Sequence, residues 1–403
     1  MLDSVIINRY KSRMTGLSLP LAIHFWNGET LNLGKPEQVR LSLHSLKAAT
    51  ALSAPTLGKF ARCYVEGEID LDGDMREIIR LGEQLCVESD CITEDKKGSA
   101  AWKWWRHTRT RDRKNIGYHY DVSNDFYALW LDQQRVYSCA YFRHLDDTLE
   151  QAQIAKLDHI CKKLQLQLGE HLLDIGCGWG GLVLHAVEHY GVRAVGITLS
   201  QNQHDYVREQ IKARRLQDRL AVHLMDYRDV PEDTLFDKIA SVGMFEHVGR
   251  GNLDTYFAKI FRLLKPGGLV MNHGITSAGV DTAGLGSGIA EFIDDYVFPG
   301  GDLVHASRVI ESLARQGLEC VDAENLRPHY AKTLWHWVTR LEAHSEVARQ
   351  MIGEQKYRIW RIYMAGSAHA FDRGWMALFQ IVAGKPLADG SLPYPFTRDH
   401  IYR

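Results

Sequence analysis

Short apolar segments alternate with helical stretches in the second half of the chain, and this alternation limits the possible folds more than any other sequence feature. The spacing predicts strands at "HLLDIG" (171–176), "VRAVGIT" (192–198), "LAVHLM" (220–225), "FDKIASVG" (236–243) and "GLVMNHGI" (268–275). Strands that alternate with helices of about ten to fifteen residues form a parallel sheet with helices on both faces. Ligands of such folds bind beyond the carboxyl ends of the strands, so we expect functional residues there.

Length and composition indicate an ordinary globular protein with two domains. The chain has 403 residues, which exceeds one typical domain, and 45% of them are hydrophobic and 24% charged. The formal net charge of −2 argues against a protein that is basic overall, and we expect no nucleic-acid partner. No apolar run approaches about eighteen residues, and the N-terminus "MLDSVIINRYKSRM" lacks the apolar run of a signal peptide, so we expect a cytoplasmic protein.

The seven cysteines favour neither a disulfide framework nor a zinc site, because they are scattered, odd in number and include no C-x-x-C pair. We therefore expect no metal cofactor. Cys139 is unusual because it lies among three aromatic residues in "VYSCAYF" (136–142). From these residues alone it is a nucleophile, a ligand or a small buried hydrophobe, and the last is the commonest role for such a cysteine.

Residues 1–100 are predicted to form a smaller α+β domain. The segment "LAIHFWNGETLNLG" indicates two short strands around an Asn27-Gly28 turn, "VRLSLHSL" alternates with period two, and a helix is predicted to begin after Gly73. Residues 101–115, "AWKWWRHTRTRDRKN", then form a linker that combines cations with tryptophans. That composition suits an anionic membrane surface, and a solvated linker with packed tryptophans explains it equally well.

A glycine-rich turn follows the first predicted strand in "LLDIGCGWGG". Gly176, Gly178 and Gly181 match the dinucleotide-binding pattern G-x-G-x-x-G, but the second strand ends in "GITLSQNQ" without the acid that usually binds the ribose. With Asp174 the turn instead reads D-x-G-x-G-x-G, which resembles motif I of the S-adenosylmethionine-dependent methyltransferases. The segment "LLKPGGLV" (263–270) also resembles that superfamily, so a methyltransferase is favoured over a nicotinamide enzyme.

Further stretches are more specific than the glycine turn. They are "YHYDVSNDFYALWLD" (118–132), "YSCAYF" (137–142), "TLEQAQIAKLDHI" (148–160), "GITLSQNQ" (196–203), "MFEHVG" (244–249), "NHGI" (272–275) and "DDYVFPGGDL" (294–303). Together they resemble the cyclopropane-fatty-acyl-phospholipid synthases and their mycolic-acid relatives over roughly residues 113–403. The resemblance implies a class I, Rossmann-like methyltransferase domain with a seven-stranded, mostly parallel sheet over residues 116–403. It also implies that residues 1–100 are the lipid-binding α+β domain of the phospholipid-acting members.

The resemblance further implies transfer of a methylene group from S-adenosylmethionine to the cis double bond of unsaturated acyl chains in membrane phospholipids. Methyl transfer leaves a carbocation, which aromatic faces stabilise, and the candidates are Tyr137, Tyr141, Phe142, Trp335 and Trp337. In the family a bound bicarbonate ion then removes a proton to close the cyclopropane ring. The residues that hold it correspond to Cys139, Glu246, His273, the backbone of Ile275, and Tyr330. Cys139 would thus hold an anion rather than act as a nucleophile.

The cofactor contacts follow from the same resemblance. Tyr137 and Ser138 are expected at the amino-acid part of S-adenosylmethionine, above the loop of Asp174, Gly176 and Gly178. The ribose is expected at Thr198, Leu199 and Gln203, and the adenine between Tyr227 and Arg228. Some relatives have an acid at the position of Arg228, so its side chain is expected to contribute little.

Each site residue also has a purely structural explanation. Glu246 would cap a helix, His273 would be a hydrogen-bonded core histidine, and Tyr330 would pack a helix onto the core. Two other functions stay open: a sister C-methyltransferase that makes a methylene or methyl branch, and a lipid-binding protein without catalysis. For the leading function we expect peripheral association with the inner face of the cell membrane and a homodimer.

Overall fold

The structure is a computed structural model that describes residues 2–14, 16–52, 56–87, 123–280, 289–297 and 303–402. The helices are α1 (Leu2–Met14), α2 (Leu46–Ala51), α3 (Leu57–Val65), α4 (Met75–Val87), α5 (Asn124–Ala128), α6 (Leu149–Lys163), α7 (Gly181–Tyr190), α8 (Gln201–Ala213), α9 (Leu253–Leu263), α10 (Ile289–Tyr296), α11 (Ala306–Arg315), α12 (Arg327–Ala343), α13 (Ser345–Ile352), α14 (Glu354–Asp372) and α15 (Asp399–Tyr402). The strands are β1 (Leu21–His24), β2 (Thr30–Asn32), β3 (Val39–Leu43), β4 (Ile69–Gly73), β5 (His171–Ile175), β6 (Arg193–Thr198), β7 (Leu220–Leu224), β8 (Phe236–Val242), β9 (Leu264–Ser277), β10 (Glu319–Asn325) and β11 (Met376–Gly384).

The chain divides into two compact units that are not contiguous in sequence. The first unit comprises Met1–Gly98, Ala283–Pro299 and Val338–His369, and the second comprises Ser99–Thr282, Gly300–Trp337 and Ala370–Arg403. The domain boundaries predicted from the sequence, at residues 1–100, 101–115 and 116–403, stay a prediction, because the linker lies outside the described residues. Sequence order gave no reason to expect residues 338–369 in the same unit as the first hundred.

The first unit contains a four-stranded sheet with the order β2-β1-β3-β4. The antiparallel pair β1 and β2 lies on either side of the Asn27-Gly28 turn, as predicted, with Gly28 at φ +87°. Helix α4 begins after Gly73, also as predicted, because the Asp74 carboxylate accepts the N–H groups of Arg76 and Glu77. Strand β4, which pairs antiparallel with β3, was not predicted.

The second unit contains a seven-stranded sheet with the order β10-β11-β9-β8-β5-β6-β7. The five predicted strands form its parallel part, from β5 to β9, which confirms the expected methyltransferase topology. Strand β11 pairs antiparallel with β9, and β10 pairs antiparallel with β11. Strand β9 is longer than predicted and continues to Ser277.

Helices cover both faces of this sheet, which explains the nearly continuous apolar runs of its central strands. On one face α6, α7 and α8 bury Leu172 of β5, and on the other α9 and α11 bury the next residue, Leu173. The alternation of neighbouring residues between two apolar layers is the period of a β-strand. Over the described residues, no helix has the length and hydrophobicity needed to span a membrane.

A buried ion cluster joins α6 to β10 within the second unit. The Lys163 ammonium has no solvent exposure and lies 3.1 Å from an Asp322 oxygen and 2.6 Å from a Glu324 oxygen. His159 Nε2 lies 2.7 Å from the same Glu324 oxygen, and Arg398 pairs with Asp322 at 2.9 Å. Burial alone would raise the pKa of Glu324, but the hydrogen bond from His159 and the charge of Lys163 outweigh it and lower that pKa to about 2.

We predict that Lys163→Met lowers the free energy of unfolding at pH 7 by about 3–5 kcal/mol, because it removes the buried cation between Asp322 and Glu324 and leaves them only Arg398 and His159 as partners. The folded-state pKa of Glu324 lies below its ordinary value of 4.5, so this stabilisation is complete above 4.5 and is lost as the pH falls toward 2. Urea unfolding followed by circular dichroism at pH 7 and at pH 3 measures both effects, and the difference from wild type should narrow at the lower pH. The control Lys162→Met removes a more exposed partner of Asp158 on the same helix and should cost no more than about 1 kcal/mol. Equal losses in the two variants would contradict the role given to the buried cluster.

Candidate active site

A cleft opens at the carboxyl edge of the parallel strands in the second unit, with an empty volume of about 1190 Å³ that includes its mouth. All ten residues that the sequence analysis assigned to the cofactor line this cleft. They are Tyr137, Ser138, Asp174, Gly176, Gly178, Thr198, Leu199, Gln203, Tyr227 and Arg228. The cleft thus lies where ligands bind in open α/β folds.

The glycine turn between β5 and α7 forms the floor of the cleft. Gly176 and Gly178 have φ values of +83° and +54°, which side chains other than glycine rarely adopt. A Cβ on Gly176 would also lie 3.0 Å from the Met244 side chain. The turn is held against the next strand, since the N–H groups of Gly176 and Cys177 both donate to the Ile197 carbonyl at 2.9 Å. Glycine is therefore required at position 176 both by the backbone and by the space available.

Asp174 lies near the end of β5 and is 2% exposed. One of its carboxylate oxygens, Oδ1, is buried without a hydrogen bond. Burial raises the pKa of Asp174 to about 7, although the charge of Lys156 acts in the opposite direction. A buried carboxyl with an unused oxygen is suited to bind a cationic group of a ligand.

The side of the cleft beside β6 is polar without being acidic. The Thr198 hydroxyl donates to the Gln203 amide oxygen at 2.7 Å, and both side chains are buried. Helix α8, which carries Gln203, is capped by the Ser200 side chain. A hydroxyl and an amide in this position offer hydrogen bonds to ligand hydroxyl groups, which is the role predicted for them.

Tyr227 and Arg228 lie in a short 3₁₀ turn, Tyr227–Asp229, that follows β7, the strand next to β6. The Arg228 guanidinium donates to both carboxylate oxygens of Asp226, at 2.8 and 2.6 Å. Its charge is thus balanced within the turn, which fits the small role expected for its side chain. The Tyr227 ring meets Tyr256 edge to face, with centroids 5.1 Å apart.

The loop that contains Tyr137, Ser138 and Cys139 is held from α6. Gln153 donates its amide N–H groups to the carbonyls of Val136 and Ser138, at 3.2 and 2.9 Å. Lys156 donates from its ammonium to the Ser138 hydroxyl at 3.0 Å.

Helix α12 holds the next residues of the same loop. The Ala140 N–H donates to the Thr333 hydroxyl at 3.0 Å, and the Phe142 N–H donates to His329 Nδ1 at 3.0 Å. The loop is thus fixed at both its cofactor end and its far end.

Cys139 itself is fully buried. Its thiol donates to the Ala140 carbonyl at 3.2 Å and lies 3.9 Å from the Leu326 carbonyl oxygen. Burial raises the pKa of the Cys139 thiol far above its ordinary value, with the charge of Lys156 acting in the opposite direction. The thiol is therefore protonated at neutral pH, which argues against attack by a thiolate.

Glu246 lies in a 3₁₀ turn, Phe245–His247, just after β8. Its Oε1 accepts the Ile275 N–H at 2.7 Å, and its Oε2 is buried without a hydrogen bond. Burial raises the pKa of Glu246 to about 7, against the opposing effect of the Ile275 N–H. Glycine at position 274 makes this approach possible, because a Cβ there would overlap the Phe245 ring. Glu246 therefore contacts strand β9 rather than capping a helix.

His273 lies within β9, inside the strand predicted for residues 268–275, and β9 continues beyond it to Ser277. It pairs with Val242, the last residue of β8, and so still lies level with that strand's carboxyl end. Its Nδ1 accepts the Gln380 amide N–H at 3.1 Å, while its Nε2 is buried without a hydrogen bond. Burial lowers the pKa of His273 well below its ordinary value. The ring is thus neutral, and Nε2 carries its proton.

Tyr330 lies on α12 and packs against Trp337 and Phe371, with ring centroids 6.1 and 4.8 Å away. Its backbone N–H donates to the Leu326 carbonyl, the same oxygen that the Cys139 thiol approaches. The structure therefore groups Glu246, His273 and Ile275 around β9, and Cys139 with Tyr330 at the start of α12. In the described part of the chain, none of these five residues is among the side chains that line the cofactor cleft.

The aromatic residues that were predicted to stabilise a carbocation also lie in separate places. Trp337 meets Tyr137 at 5.3 Å between centroids and joins the cofactor loop to α12. Tyr141 instead stacks between His159 and His329, at 4.1 and 4.8 Å. Their predicted role with a carbocation stays a prediction.

The sequence analysis missed five residues that position the site: Gln153, Lys156, His329, Thr333 and Gln380. The sequence did contain a clue to Lys156, because this lysine lies on the buried face of α6, four residues from both Ala152 and Ile160. A lysine at such a position is rarely there for packing alone. The sequence contained no such clue to Thr333 and Gln380, since their partners are distant in sequence.

Comparison with known proteins agrees with this site. Residues 107–381 match the family model described as mycolic acid cyclopropane synthetase, and residues 10–85 match a domain of unknown function, DUF7884. A probable fatty acid methyltransferase from Pseudomonas putida is 47% identical over 390 residues, covering 97% of this chain and 98% of that protein. Cyclopropane mycolic acid synthase 1 from Mycobacterium tuberculosis is 37% identical over 279 residues, covering 67% of this chain and 96% of that protein.

Solved structures extend the likeness to the fold. The cyclopropane synthase MmaA2 from Mycobacterium tuberculosis aligns with a TM-score of 0.65 at 35% identity, over 68% of this chain and 98% of that one. The mycolic acid cyclopropane synthase CmaA1, complexed with SAH and CTAB, aligns with a TM-score of 0.64 at 37% identity, over 68% and 98% of the two chains. This chain therefore belongs to the mycolic acid cyclopropane synthetase family of S-adenosylmethionine-dependent methyltransferases.

Proposed function

We propose that this protein converts the cis double bond of unsaturated acyl chains in membrane phospholipids into a cyclopropane ring. The observation that carries the proposal is the grouping of Glu246, in the turn after β8, with His273 and Ile275 of β9, because two buried polar atoms of this group have no hydrogen-bond partner. They belong to the same second unit as the complete cofactor cleft. Relatives named as cyclopropane synthases and as a fatty acid methyltransferase support an acyl substrate.

The reaction needs a positioned alkene, exclusion of water and a base. The methyl group moves from the sulfonium sulfur to one alkene carbon, and the cation forms on the other carbon. A base then removes a proton from the new methyl group, the ring closes, and S-adenosylhomocysteine leaves. Because the Cys139 thiol is buried and protonated, Cys139 does not act as a nucleophile in these steps. Burial of the site favours the first step because water would otherwise capture the cation.

A bicarbonate ion would supply the base, and the described residues fit an anion of this kind. His273 Nε2–H is a buried donor, and Glu246 Oε2 is a buried atom with no partner. A carboxylate beside an anion would repel it, but the pKa of Glu246 is raised to about 7, so a large fraction carries a proton near neutral pH. The protonated carboxyl can then donate to the anion. Ile275 holds Glu246 in place through its N–H.

A second candidate is a C-methyltransferase whose cation loses its proton elsewhere and gives a methylene or methyl branch. The C-methyltransferase stays a candidate because the 47% identical relative is named a probable fatty acid methyltransferase. The presence of Cys139, Glu246, His273 and Tyr330 together supports cyclopropanation instead. A lipid-binding protein without catalysis is the least favoured, because the glycine turn and the ten cleft residues are complete.

Product analysis is the direct test of the proposal. We expect that incubation with S-adenosylmethionine and vesicles of a cis-monounsaturated phospholipid adds one CH₂ to the acyl chain and removes the alkene. Mass spectrometry and bromine reactivity of the released chains measure the two changes. Addition with the alkene retained would indicate the C-methyltransferase, and addition to a free fatty acid but not to phospholipid would refute the proposed substrate. No addition to either, with S-adenosylhomocysteine bound, would favour the lipid-binding protein.

The protonation of Glu246 gives a prediction about pH. Only the protonated carboxyl donates to the anion, so the bicarbonate concentration needed for half-maximal activity should rise about tenfold per pH unit above 7. In Glu246→Gln the amide keeps a donor at every pH, and this dependence should disappear. Initial rates at pH 6.5 to 8.5, with the bicarbonate ion itself held at fixed concentrations, provide the measurement. If the bicarbonate concentration needed for half-maximal activity still rises with pH in Glu246→Gln, the titrating group is not Glu246.

Association with the membrane surface and a homodimer are further parts of the proposal. Membrane association is supported by the composition of residues 101–115, which lie outside the described residues, and by a proposed substrate that stays in the bilayer. A cation near an anionic surface contributes about 1 kcal/mol, so the linker alone would give measurable binding. Two copies would double the contacts, and light scattering in solution measures the oligomeric state.

We predict that replacing Arg109, Arg111 and Arg113 by glutamine weakens binding to anionic phospholipid vesicles at least tenfold. A matched control removes three exposed cations of the second unit, Arg208, Lys212 and Arg215, and should bind like wild type. Vesicle co-sedimentation at two salt concentrations is the measurement, because screening weakens surface attraction. Binding by wild type that does not change with salt would rule out this mode of association.

A further inference from the structure

Lys156 is a buried cation inside the cofactor cleft. Its side chain is 1% exposed, lines the cleft, and donates from Nζ to the Ser138 hydroxyl at 3.0 Å. It lies on α6 at a position where the neighbouring turns carry apolar residues such as Ala152 and Ile160. Packing alone would be served better by leucine or methionine at this position.

The ammonium uses only part of its hydrogen-bonding capacity. It has three N–H donors, and over the described residues the Ser138 hydroxyl is its one hydrogen-bond partner. No described carboxylate forms an ion pair with it, unlike Lys163 on the same helix, which has two. Burial lowers the pKa of Lys156 to about 8, while the nearby carboxylates, Asp132 first, act in the opposite direction. The group is therefore mostly charged at pH 7, and a buried charge without a close counter-ion is costly.

Asp174 is the opposite charge in the same cleft. It is 2% exposed, and its Oδ1 is buried without a hydrogen bond. Asp132, the other buried carboxylate near Lys156, is already used, because its two oxygens accept the N–H groups of Gln134 and Val136 at 2.9 Å. Lys156 on α6 and Asp174 on β5 are thus a buried cation and a buried anion of the cleft that each keep unused hydrogen-bonding capacity.

A ligand that carries a carboxylate and an ammonium on the same carbon complements this pair. The amino-acid part of S-adenosylmethionine is such a group. We propose that Lys156 binds the α-carboxylate of the cofactor, beside Ser138, while Asp174 faces its α-ammonium. This inference rests on the assignment of the cleft to S-adenosylmethionine and names the recognition element for one end of it.

The arrangement also connects the cofactor to the rest of the site. Lys156 holds Ser138, and Cys139 follows directly in the loop. A carboxylate that engages Lys156 satisfies the buried ammonium and leaves its bond to Ser138 in place, so cofactor binding stabilises the loop. This makes Lys156 a binding residue and, through Ser138, a positioning residue for Cys139.

A comparison of two ligands, one with and one without the carboxylate, distinguishes a lysine that binds the carboxylate from a lysine that only supports the structure. S-adenosylhomocysteine and its decarboxylated analogue, 5′-deoxy-5′-(3-aminopropylthio)adenosine, differ only in the carboxylate. Isothermal titration calorimetry measures the affinity of both ligands for full-length wild type, for Lys156→Met and for the control Lys162→Met. The ratio of the two affinities in each protein shows how much the ligand carboxylate contributes to binding. Lys162 lies on the same helix, pairs with Asp158 at 2.8 Å, and is not among the residues lining the described cleft.

We expect wild type and Lys162→Met to bind S-adenosylhomocysteine at least tenfold more tightly than the analogue. Lys156→Met should bind both with similar affinity, because the preference depends on the ammonium. If Lys156→Met weakens both ligands by the same factor, the lysine is structural and the proposal is wrong. Failure of wild type to bind either ligand would instead refute the cofactor assignment of the cleft.

Wild-type protein provides a second measurement in case Lys156→Met does not fold. The preference for S-adenosylhomocysteine over the analogue should fall about tenfold between pH 7 and pH 9, as the ammonium loses its proton in the free protein. A preference that stays constant over this range would also overturn the proposal.

Discussion

Burial of ionisable groups at the carboxyl edge of one sheet is the constraint on which this site depends. Asp174, His273 and Lys156 are buried and Glu246 is half-buried, and each keeps at least one polar atom or donor that the surrounding protein does not use. An unpaired polar atom in the interior costs about 1–3 kcal/mol. The sheet and the helices around it must therefore be stable enough to hold four such groups. The cluster around Lys163, in which the buried ammonium pairs with two carboxylates, shows the contrasting arrangement within the same unit.

Burial also sets the protonation states that the chemistry needs. The pKa values of Asp174 and Glu246 are raised to about 7, that of His273 is lowered, and the Cys139 thiol stays protonated. One physical cause, desolvation of the charged form, moves each group toward neutrality. A neutral histidine and a protonated carboxyl both donate hydrogen bonds, which suits an anion. A neutral thiol is also a weaker nucleophile than a thiolate, so it would not compete with the proposed alkene substrate for the methyl group. The same low polarity that makes the site costly thus directs its reactivity.

The sequence predicted the parallel strands because a strand that is buried on both faces is a short, contiguous apolar run. The glycine turn directly after β5 is equally local, whereas the other cofactor contacts, such as Tyr137 and Thr198, were assigned from the family resemblance. Strand β10 could not be predicted in this way, since "ECVDAEN" at the sheet edge is mostly polar and only half-buried. The assignment of Cys139, Glu246 and Tyr330 came from the family resemblance rather than from any local pattern. Their partners, such as Gln380 for His273, are set by strand register that a sequence does not display.

The division of the chain into units bears on what the N-terminal residues do. Arg358 and Arg361 of α14 belong to the first unit, where they donate to backbone carbonyls of residues 64, 69 and 71 and pair with Asp70 and Glu342. Removing the first hundred residues would take away Asp70 and Tyr64 and leave two arginines without most of their acceptors. Such cations are costly when partly buried, so α14 depends on the N-terminal sheet for its environment. The helix continues into Phe371, which packs on Tyr330 in the second unit. The N-terminal region is therefore part of the structural support of α14, and its deletion would remove contacts of that helix whatever else the region binds.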